Sequence, residues 1–460
     1  MEASGKSPKS KPIGNAVAAS IARHLPRDAA LVVGLSGGLD SVVLLHLVQA
    51  CQASLGFRLR CVHVHHGLSP HADQWADFCR RLCAQHDIPF DLHRVSVARD
   101  DPAGIEAAAR AARRRIFAAI DADALLTAHH QDDQAETLLL QLLRGAGPRG
   151  LAAMAPWHHL PGWKAAQLRP LLGVTRAEIR TYAEQHQLKW VEDESNLDPR
   201  YRRNALRHDL MPLLAGHFPG YSATLARAAT LQAEAAELLD DLASIDADGA
   251  VVDDRLDCSV LARLSPARQR NLLRHFIAGQ HYRLPNERRL DQALNQLLKA
   301  RQDARVCVNL GEVELHRYRN LACLVPCAEA GAPLAVTWQG EPVLRLPWLS
   351  QSLRFTDASG VGVKRSLLET GPVEVRTRRG GERLRPVTGG VRRSLKNLMQ
   401  EAAIPPWQRD RLPLLWCGGQ LVWADGVGYD ADCVAAPGEA GIIPHLTGQE
   451  HISCDRDPFT

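Results

Sequence analysis

Between about Ala29 and Ala128 the chain alternates short apolar runs with segments whose apolar residues recur every three or four positions. Parallel strands joined by crossover helices produce that alternation, so this part of the chain is confined to a doubly wound α/β architecture. The strand candidates are ALVVGL between 29 and 35, LRCVHV from 59 to 64, a weaker FDLHRVSV from 90 to 97, and ALLTA from 124 to 128. DSVVLLHLVQACQ, ADQWADFCRRLCAQH and GIEAAARAARRRIFAAI lie between them with helical periodicity. A ligand is expected where the loops leave the C-terminal ends of the strands.

With 460 residues the chain has room for about three domains of roughly 150 residues each. Residues 1–15 are polar and read as a disordered tail, and 16–215 as the α/β domain. A long Ala/Leu/Glu-rich pattern from 222 to 245 opens a mainly helical middle domain, 216–326. VCVNLGEVELHRYRNLACLV near its end alternates like a hairpin. The Ala/Gly/Pro-rich stretch at 327–345 reads as a linker, and 346–460 as a small α+β domain with a hairpin turning at Gly418 and Gly419. Eleven cysteines, an odd number, with no leader-like N-terminus favour a reduced, cytoplasmic setting. Cys79 with Cys83 and Cys323 with Cys327 are CxxxC pairs lacking a second pair at metal-site spacing, so no metal is expected there. No run of about 18 apolar residues occurs, and membrane insertion is not expected.

GLSGGLDSVVLL, residues 34–45, carries the chemistry. An apolar strand enters Ser36, Gly37, Gly38, Leu39, Asp40 and Ser41, and an apolar helix leaves. The glycines allow a tight turn and close approach of N–H groups to a polyanion, while the helix start adds partial positive charge. No Gly-Lys-Ser/Thr follows, so this is not a Walker A loop. A carboxylate at Asp40 beside phosphate is unfavourable unless a divalent cation lies between, which predicts Mg²⁺ bridging Asp40 and the polyphosphate. The competing reading makes Asp40 and Ser41 a plain helix N-cap.

SGGLDS resembles the PP-loop of the ATP pyrophosphatases, which cleave ATP between the α- and β-phosphates. VHVHHGLSPHADQW (62–75), GIEAAARAARRR, TAHHQDDQAETLLLQLLRGAGPRGLAAM (127–154), RPLLGVTRAEIRTYAEQ and WVEDESNLDPRYRRNALRHDLMPLL also resemble the bacterial tRNA(Ile)-lysidine synthetase family. So do GGERLRPVTG and LKNLMQEAAIPPWQRDRLPLL near the C-terminus. Three positions depart from the family pattern: His65 stands for an Asn, Ser69 for an Arg, and Arg114 for a Tyr. The resemblance implies a Rossmann-like PP-loop domain that uses ATP and Mg²⁺ to join L-lysine to C2 of the wobble cytidine of tRNA(Ile) bearing CAU. An adenylated tRNA is the intermediate, and AMP and pyrophosphate are released. Oligomeric state is not fixed by the sequence, and a homodimer is compatible with it. Two alternatives stay open: a PP-loop tRNA 2-thiolase, which would need a sulfur-relay cysteine, and a non-catalytic nucleotide- or tRNA-binding module.

His129, His130, Asp132, Asp133 and Glu136 fit a metal cluster on i,i+4 helical faces, or acidic residues that merely complement a helix start. The resemblance places His129 and Asp133 in the active site, in contact with the lysine amine or with the phosphate-bound metal; Asp133 is a candidate to hold the lysine ammonium and help remove its proton, which of the two does so is left open, and Glu136 is counted among the groups that bind substrate. Arg110 and Arg113 share a helical face suited to charge developing on the α-phosphate or pyrophosphate, or else form a solvated face. His63, His65, His66 and His71 match no zinc spacing and read as loop histidines. Between Arg376 and Arg411, ten basic residues including Arg378, Arg379, Arg383 and Lys396 face three acidic ones, a local +7 that exceeds the whole-chain +4. With Trp407 beside it, that cluster suits a tRNA backbone with occasional stacking. Arg200, Arg202, Arg203 and Arg207 form a second basic group, read as a guide for the anticodon stem.

Overall fold

The computed structural model describes residues 13–98, 100–101, 104–192, 194, 202–301, 306–327, 334–349 and 351–447. They form two compact units, one running to Leu239 and one starting at Asp240.

In the first unit the elements follow as α1 (Ile13–His24), β1 (Ala30–Gly34), α2 (Leu39–Leu55), β2 (Arg58–His65), α3 (Ala72–Gln85), β3 (Phe90–Arg94), α4 (Ile105–Ala118), β4 (Ala124–Leu126) and α5 (Gln131–Leu142). Beyond these come α6 (Pro148–Leu151), β5 (Trp157–His158), β6 (Ala166–Leu168), α7 (Arg176–Gln185), α8 (Arg202–Ala205), a π-helical turn (Leu206–Leu210), α9 (Met211–His217) and α10 (Tyr221–Ala247), whose last residues belong to the second unit. The sheet runs β3-β2-β1-β4-β6-β5, parallel throughout except for the edge strand β5. Strand alternation divides its two faces. Leu31 and Val33 of β1 enter the core beneath α2 and α3, while Val32 packs with Val62, Leu125 and Trp163 on the α4 side. The sheet is therefore covered on both faces, as a parallel sheet requires. The order 2-1-4 means the chain leaves β1 in opposite directions, and the crevice between the ends of β1 and β4 is the topological switch point.

The second unit continues with β7 (Val251–Val252), β8 (Arg255–Asp257), α11 (Cys258–Arg263), α12 (Pro266–Gly279), α13 (Glu287–Lys299), β9 (Val306–Asn309), β10 (Val313–Tyr318) and β11 (Leu321–Pro326). Leu290, Ala293, Leu294 and Leu297 of α13 are buried, an i, i+3, i+4, i+7 stripe against the same core as α12. The stretch expected as one hairpin is a three-strand meander, extended by β8 and β7 into a five-stranded antiparallel sheet, β7-β8-β11-β10-β9.

The remaining elements are β12 (Ala335–Trp338), β13 (Val343–Arg345), β14 (Ser352–Ser359), β15 (Val363–Lys364), α14 (Arg365–Leu368), β16 (Val373–Arg376), β17 (Arg383–Leu384), β18 (Arg393–Ser394), α15 (Leu395–Glu401), α16 (Pro406–Arg409), β19 (Leu414–Cys417), β20 (Gln420–Ala424), β21 (Gly428–Tyr429) and β22 (Ala440–Leu446). Part of the expected linker is thus structured: β12 pairs with β16, and β13 pairs with β14 with Leu344 buried. Its Gly and Pro residues obscured two short strands. The hairpin at Gly418 and Gly419 turns as expected, with both φ angles positive. Residues 1–12 and Arg200 lie outside the described residues.

Candidate active site

The loop after β1 is held from inside by Ser41. Its Oγ accepts from the backbone N–H groups of Ser36 and Gly37, each at 3.2 Å, and donates to the Gly38 carbonyl at 2.9 Å. Gly37 has φ +90°, and a Cβ there would meet Val191 Cγ2 at 3.0 Å and Cys79 Sγ at 3.1 Å, so only glycine fits without displacement. The Gly37 carbonyl accepts from Val191 N–H at 3.0 Å, tying the loop to the chain downstream of α7. Gly38, not Asp40 or Ser41, is the N-cap of α2, and no side chain caps the helix. The plain N-cap reading therefore fails. No side-chain cap takes the first-turn amides of α2, the arrangement a phosphate-binding helix start requires.

Asp40 is in that first turn. Its Oδ1 is buried without a hydrogen-bond partner, and its Oδ2 lies 3.8 Å from His130 Nε2. Burial raises the Asp40 pKa, with His130, Arg176 and Arg207 opposing. An unpartnered carboxylate oxygen beside an anion-binding helix start is the hard donor Mg²⁺ takes, so the residues fit that ion.

Across the switch point β4 leads into α5, which begins at Gln131. His129 therefore precedes the helix and does not share a helical face with Asp133, contrary to the i,i+4 expectation. Its Nδ1 is 3.0 Å from Thr127 Oγ1, and burial pushes its pKa down to about 3, helped by Arg169, Arg203 and Arg113. The ring is neutral at physiological pH. His130 caps α5 reciprocally: Asp133 N–H donates to its Nδ1 at 3.4 Å, and Asp133 Oδ2 accepts from His130 N–H at 3.0 Å. The His130 ring thus joins Asp40 on α2 to Asp133 on α5.

Asp133 and Glu136, one turn apart, meet a double guanidinium clamp. Arg203 donates from Nε to Glu136 Oε2 at 2.6 Å and from a terminal nitrogen to Asp133 Oδ1 at 2.8 Å; Arg207 repeats the pattern at 2.7 and 3.2 Å. Burial works to raise the Asp133 pKa, but His130 and Arg203 outweigh it and hold the carboxyl below its ordinary value. Both Asp133 oxygens are paired, so the carboxylate expected to draw a proton from lysine is a weak base here. Arg203 and Arg207, expected as tRNA guides, serve the acidic pair instead. Arg113 is close enough to lower the pKa of both His66, which falls to about 4 chiefly by burial, and His129; Arg110 is exposed on the same helix. His63 and His65 are buried on β2 rather than loop residues, and His63 Nδ1 lies 2.8 Å from the Leu35 carbonyl at the entrance to the phosphate loop.

In the second unit many of the clustered cations already have carboxylate partners. Arg378 pairs with Glu382 and Asp410, Arg385 with Asp432, Arg392 with Asp430 and Arg393 with Glu401. Among the described residues, Arg379, Arg383 and Lys396 are exposed without such a pair. Trp407 is stacked on His316, with ring centroids 4.6 Å apart, so one face of the expected stacking platform is taken.

Three family models match the chain: a PP-loop domain over residues 13–214, a TilS substrate binding domain over 256–322, and a TilS substrate C-terminal domain over 373–446. The tRNA(Ile)-lysidine synthase of Nitrosomonas europaea is 45% identical over 415 residues, covering 90% of this chain and 91% of the relative. That of Azoarcus sp. is 44% identical over 419 residues, covering 90% and 91%. Among solved structures, a U34-tRNA thiolase from Methanococcus maripaludis aligns over 47% of this chain and 77% of its own, with 18% identity and a TM-score of 0.42.

Proposed function

The chain belongs to the tRNA(Ile)-lysidine synthase family, and on that footing we propose that Asp40 holds Mg²⁺ against an ATP triphosphate seated in the loop Ser36–Ser41. The enzyme forms lysidine at the wobble cytidine of tRNA(Ile) at the expense of ATP. The carrying observation is the unpartnered Asp40 oxygen next to the uncapped start of α2.

Cytosine's C2 oxygen is a poor leaving group, so its attack on the α-phosphate first converts it to an adenylate and releases pyrophosphate. The neutral ε-amine of lysine then adds to C2 and expels AMP. Mg²⁺, when bound, neutralises charge on the phosphates. The open amides of α2 hold phosphate oxygens, and Arg110 and Arg113 stabilise charge that develops on them. His129, neutral and anchored through Thr127, lines the pocket without adding charge. Asp133 and Glu136 take the lysine ammonium in exchange for a guanidinium of the clamp, since an ionised acid pair binds either cation. Arg378, Arg379, Arg383 and Lys396 hold the phosphate backbone of a tRNA carrying CAU.

The enzyme acts in the cytoplasm, where ATP and unmodified tRNA meet. Exposed Leu142, Leu143, Leu213 and Phe218 in the first unit favour self-association as a homodimer. The deciding assay combines the full chain, ATP, Mg²⁺, labelled lysine and tRNA(Ile) bearing CAU. Lysine incorporation with one AMP and one pyrophosphate per turnover is expected. Asp40→Asn is expected to lose pyrophosphate release by about 100-fold or more, and a wild-type rate in that variant removes Asp40 from the reaction.

A further inference from the structure

Away from the catalytic unit, β9 and β10 place an unassigned set of donor atoms on one face of the middle sheet. Cys307 pairs directly with His316 across the two strands, and Glu314 is two residues from His316, so all three side chains emerge on one side. Cys307 Sγ is 3.8 Å from His316 Nε2, and Glu314 Oε2 is 2.9 Å from the same nitrogen. The three donors all lie within 4.8 Å of one another. A fourth donor, the second thiol, is at the rim. Cys327, just past β11, is fixed by its N–H to the Glu312 carbonyl at 3.1 Å, and its Sγ is 3.4 Å from the carbonyl of Gly311 in the β9–β10 turn and 3.8 Å from Asn309 Nδ2 at the end of β9.

We propose that Cys307, Glu314 and His316, with Cys327 as the fourth ligand, form a structural site for a zinc-class divalent ion. Two thiolates, an imidazole and a carboxylate are a tetrahedral zinc set, and donors around such an ion stand roughly 3.3–3.8 Å apart. The Cys307–His316 separation already lies in that range; Glu314 must open by about half an ångström and Cys327 must rotate inward. The imidazole is held for the purpose. His316 is stacked on Trp407 with an interplanar angle of 28°, which orients Nε2 towards the other donors. In the metal-free arrangement burial and the Glu314 carboxylate both hold the two thiols protonated, an opposition a dication would reverse. Binding releases one proton from each thiol. His316 ligates through Nε2 with its proton on Nδ1, and Glu314 exchanges its bond with that ring for the metal. Arg411, which acts on both thiols and donates to the Pro326 carbonyl at 2.8 Å, offsets the net negative charge of the filled site. The ion would clamp the β9–β10 hairpin and the end of β11 against α16.

The test uses the tag-free full chain, stripped with chelator under reductant and titrated with Co²⁺. A thiolate-to-cobalt charge-transfer band with tetrahedral ligand-field intensity is expected to saturate at one equivalent and to vanish on adding Zn²⁺. Cys307→Ser and Glu314→Gln should each weaken Co²⁺ binding by at least about tenfold, while Cys51→Ser, in the other unit, should not. Glu314→Gln keeps the shape of the side chain, so its loss cannot be put down to unfolding. No band in the wild type, or the same titration in Cys307→Ser and Glu314→Gln as in wild type, overturns the proposal.

Discussion

At Asp40 the cost of burying a carboxylate is visible in one side chain. Burial raises its pKa, so the native chain binds this proton more tightly than the unfolded chain does, and its contribution to stability falls as pH rises through the ordinary carboxylate range and above. Asp40→Asn is therefore expected to raise the Tm at pH 7, by about 2–4 °C per kcal/mol of relieved charge burial. The gain should shrink on acidification, as paired thermal melts would show, and it accompanies the loss of pyrophosphate release. Gly37 makes the opposite case. Gly37→Ala sets a Cβ against Val191 and Cys79 at a positive φ, and should cost about 1–3 kcal/mol in urea unfolding and abolish ATP retention. The turn that holds both residues was legible in the sequence, because a glycine run between an apolar strand and an apolar helix has few uses. The unsuitability of Asp133 as a base was not legible. It depends on Arg203 and Arg207, some seventy positions away in the sequence, folding back onto it.

Among the elements, α5 shows what the sequence withholds. Its helical pattern and acidic start are plain, but histidine is not a usual N-cap, and nothing local announces that His130 closes a capping box and faces Asp40. The clamp from α8 and the π-turn depends on spacing: Arg203 and Arg207 are four apart, Asp133 and Glu136 three, and the two pairs lie on facing turns. Glu136 is 1% exposed while each arginine is about one-fifth exposed. Glu136→Gln removes the buried charge that both guanidinium groups face and sets an amide NH₂ against one of them, and should destabilise the first unit by about 3 kcal/mol, measured by urea titration. Lysine KM should rise more than ATP KM. Parallel strands β1 and β4 were readable because burial on both faces leaves continuous apolar runs, while β3, which has no buried residue, gives only the weaker pattern. β12 and β13 were not, being three or four residues long and embedded among Gly, Pro and Ala.

On the scale of the molecule, charge counted along the sequence overstates the charge offered to a partner. The +7 between Arg376 and Arg411 is reduced by Glu374, Asp430 and Asp432, which lie outside that window in sequence and beside it in space. Replacing Arg379, Arg383 and Lys396 together with glutamate should weaken tRNA binding and lower the salt slope of log K by roughly 0.7–0.9 for each phosphate left unneutralised. Charge reversal at the paired Arg385 and Arg393 should do less, a contrast filter-binding titrations from low to high salt would resolve. The bond from Val191 to the Gly37 carbonyl also has a bearing on the order of biosynthesis. The turn at Gly37 is made early yet gets this strut only after another hundred and fifty or so residues have been translated, on the order of ten to thirty seconds later. A ribosome-bound fragment that stops short of Val191 leaves the glycine turn without its outer support, so the loop takes its finished form only when the arginines that follow Val191 are themselves on the way.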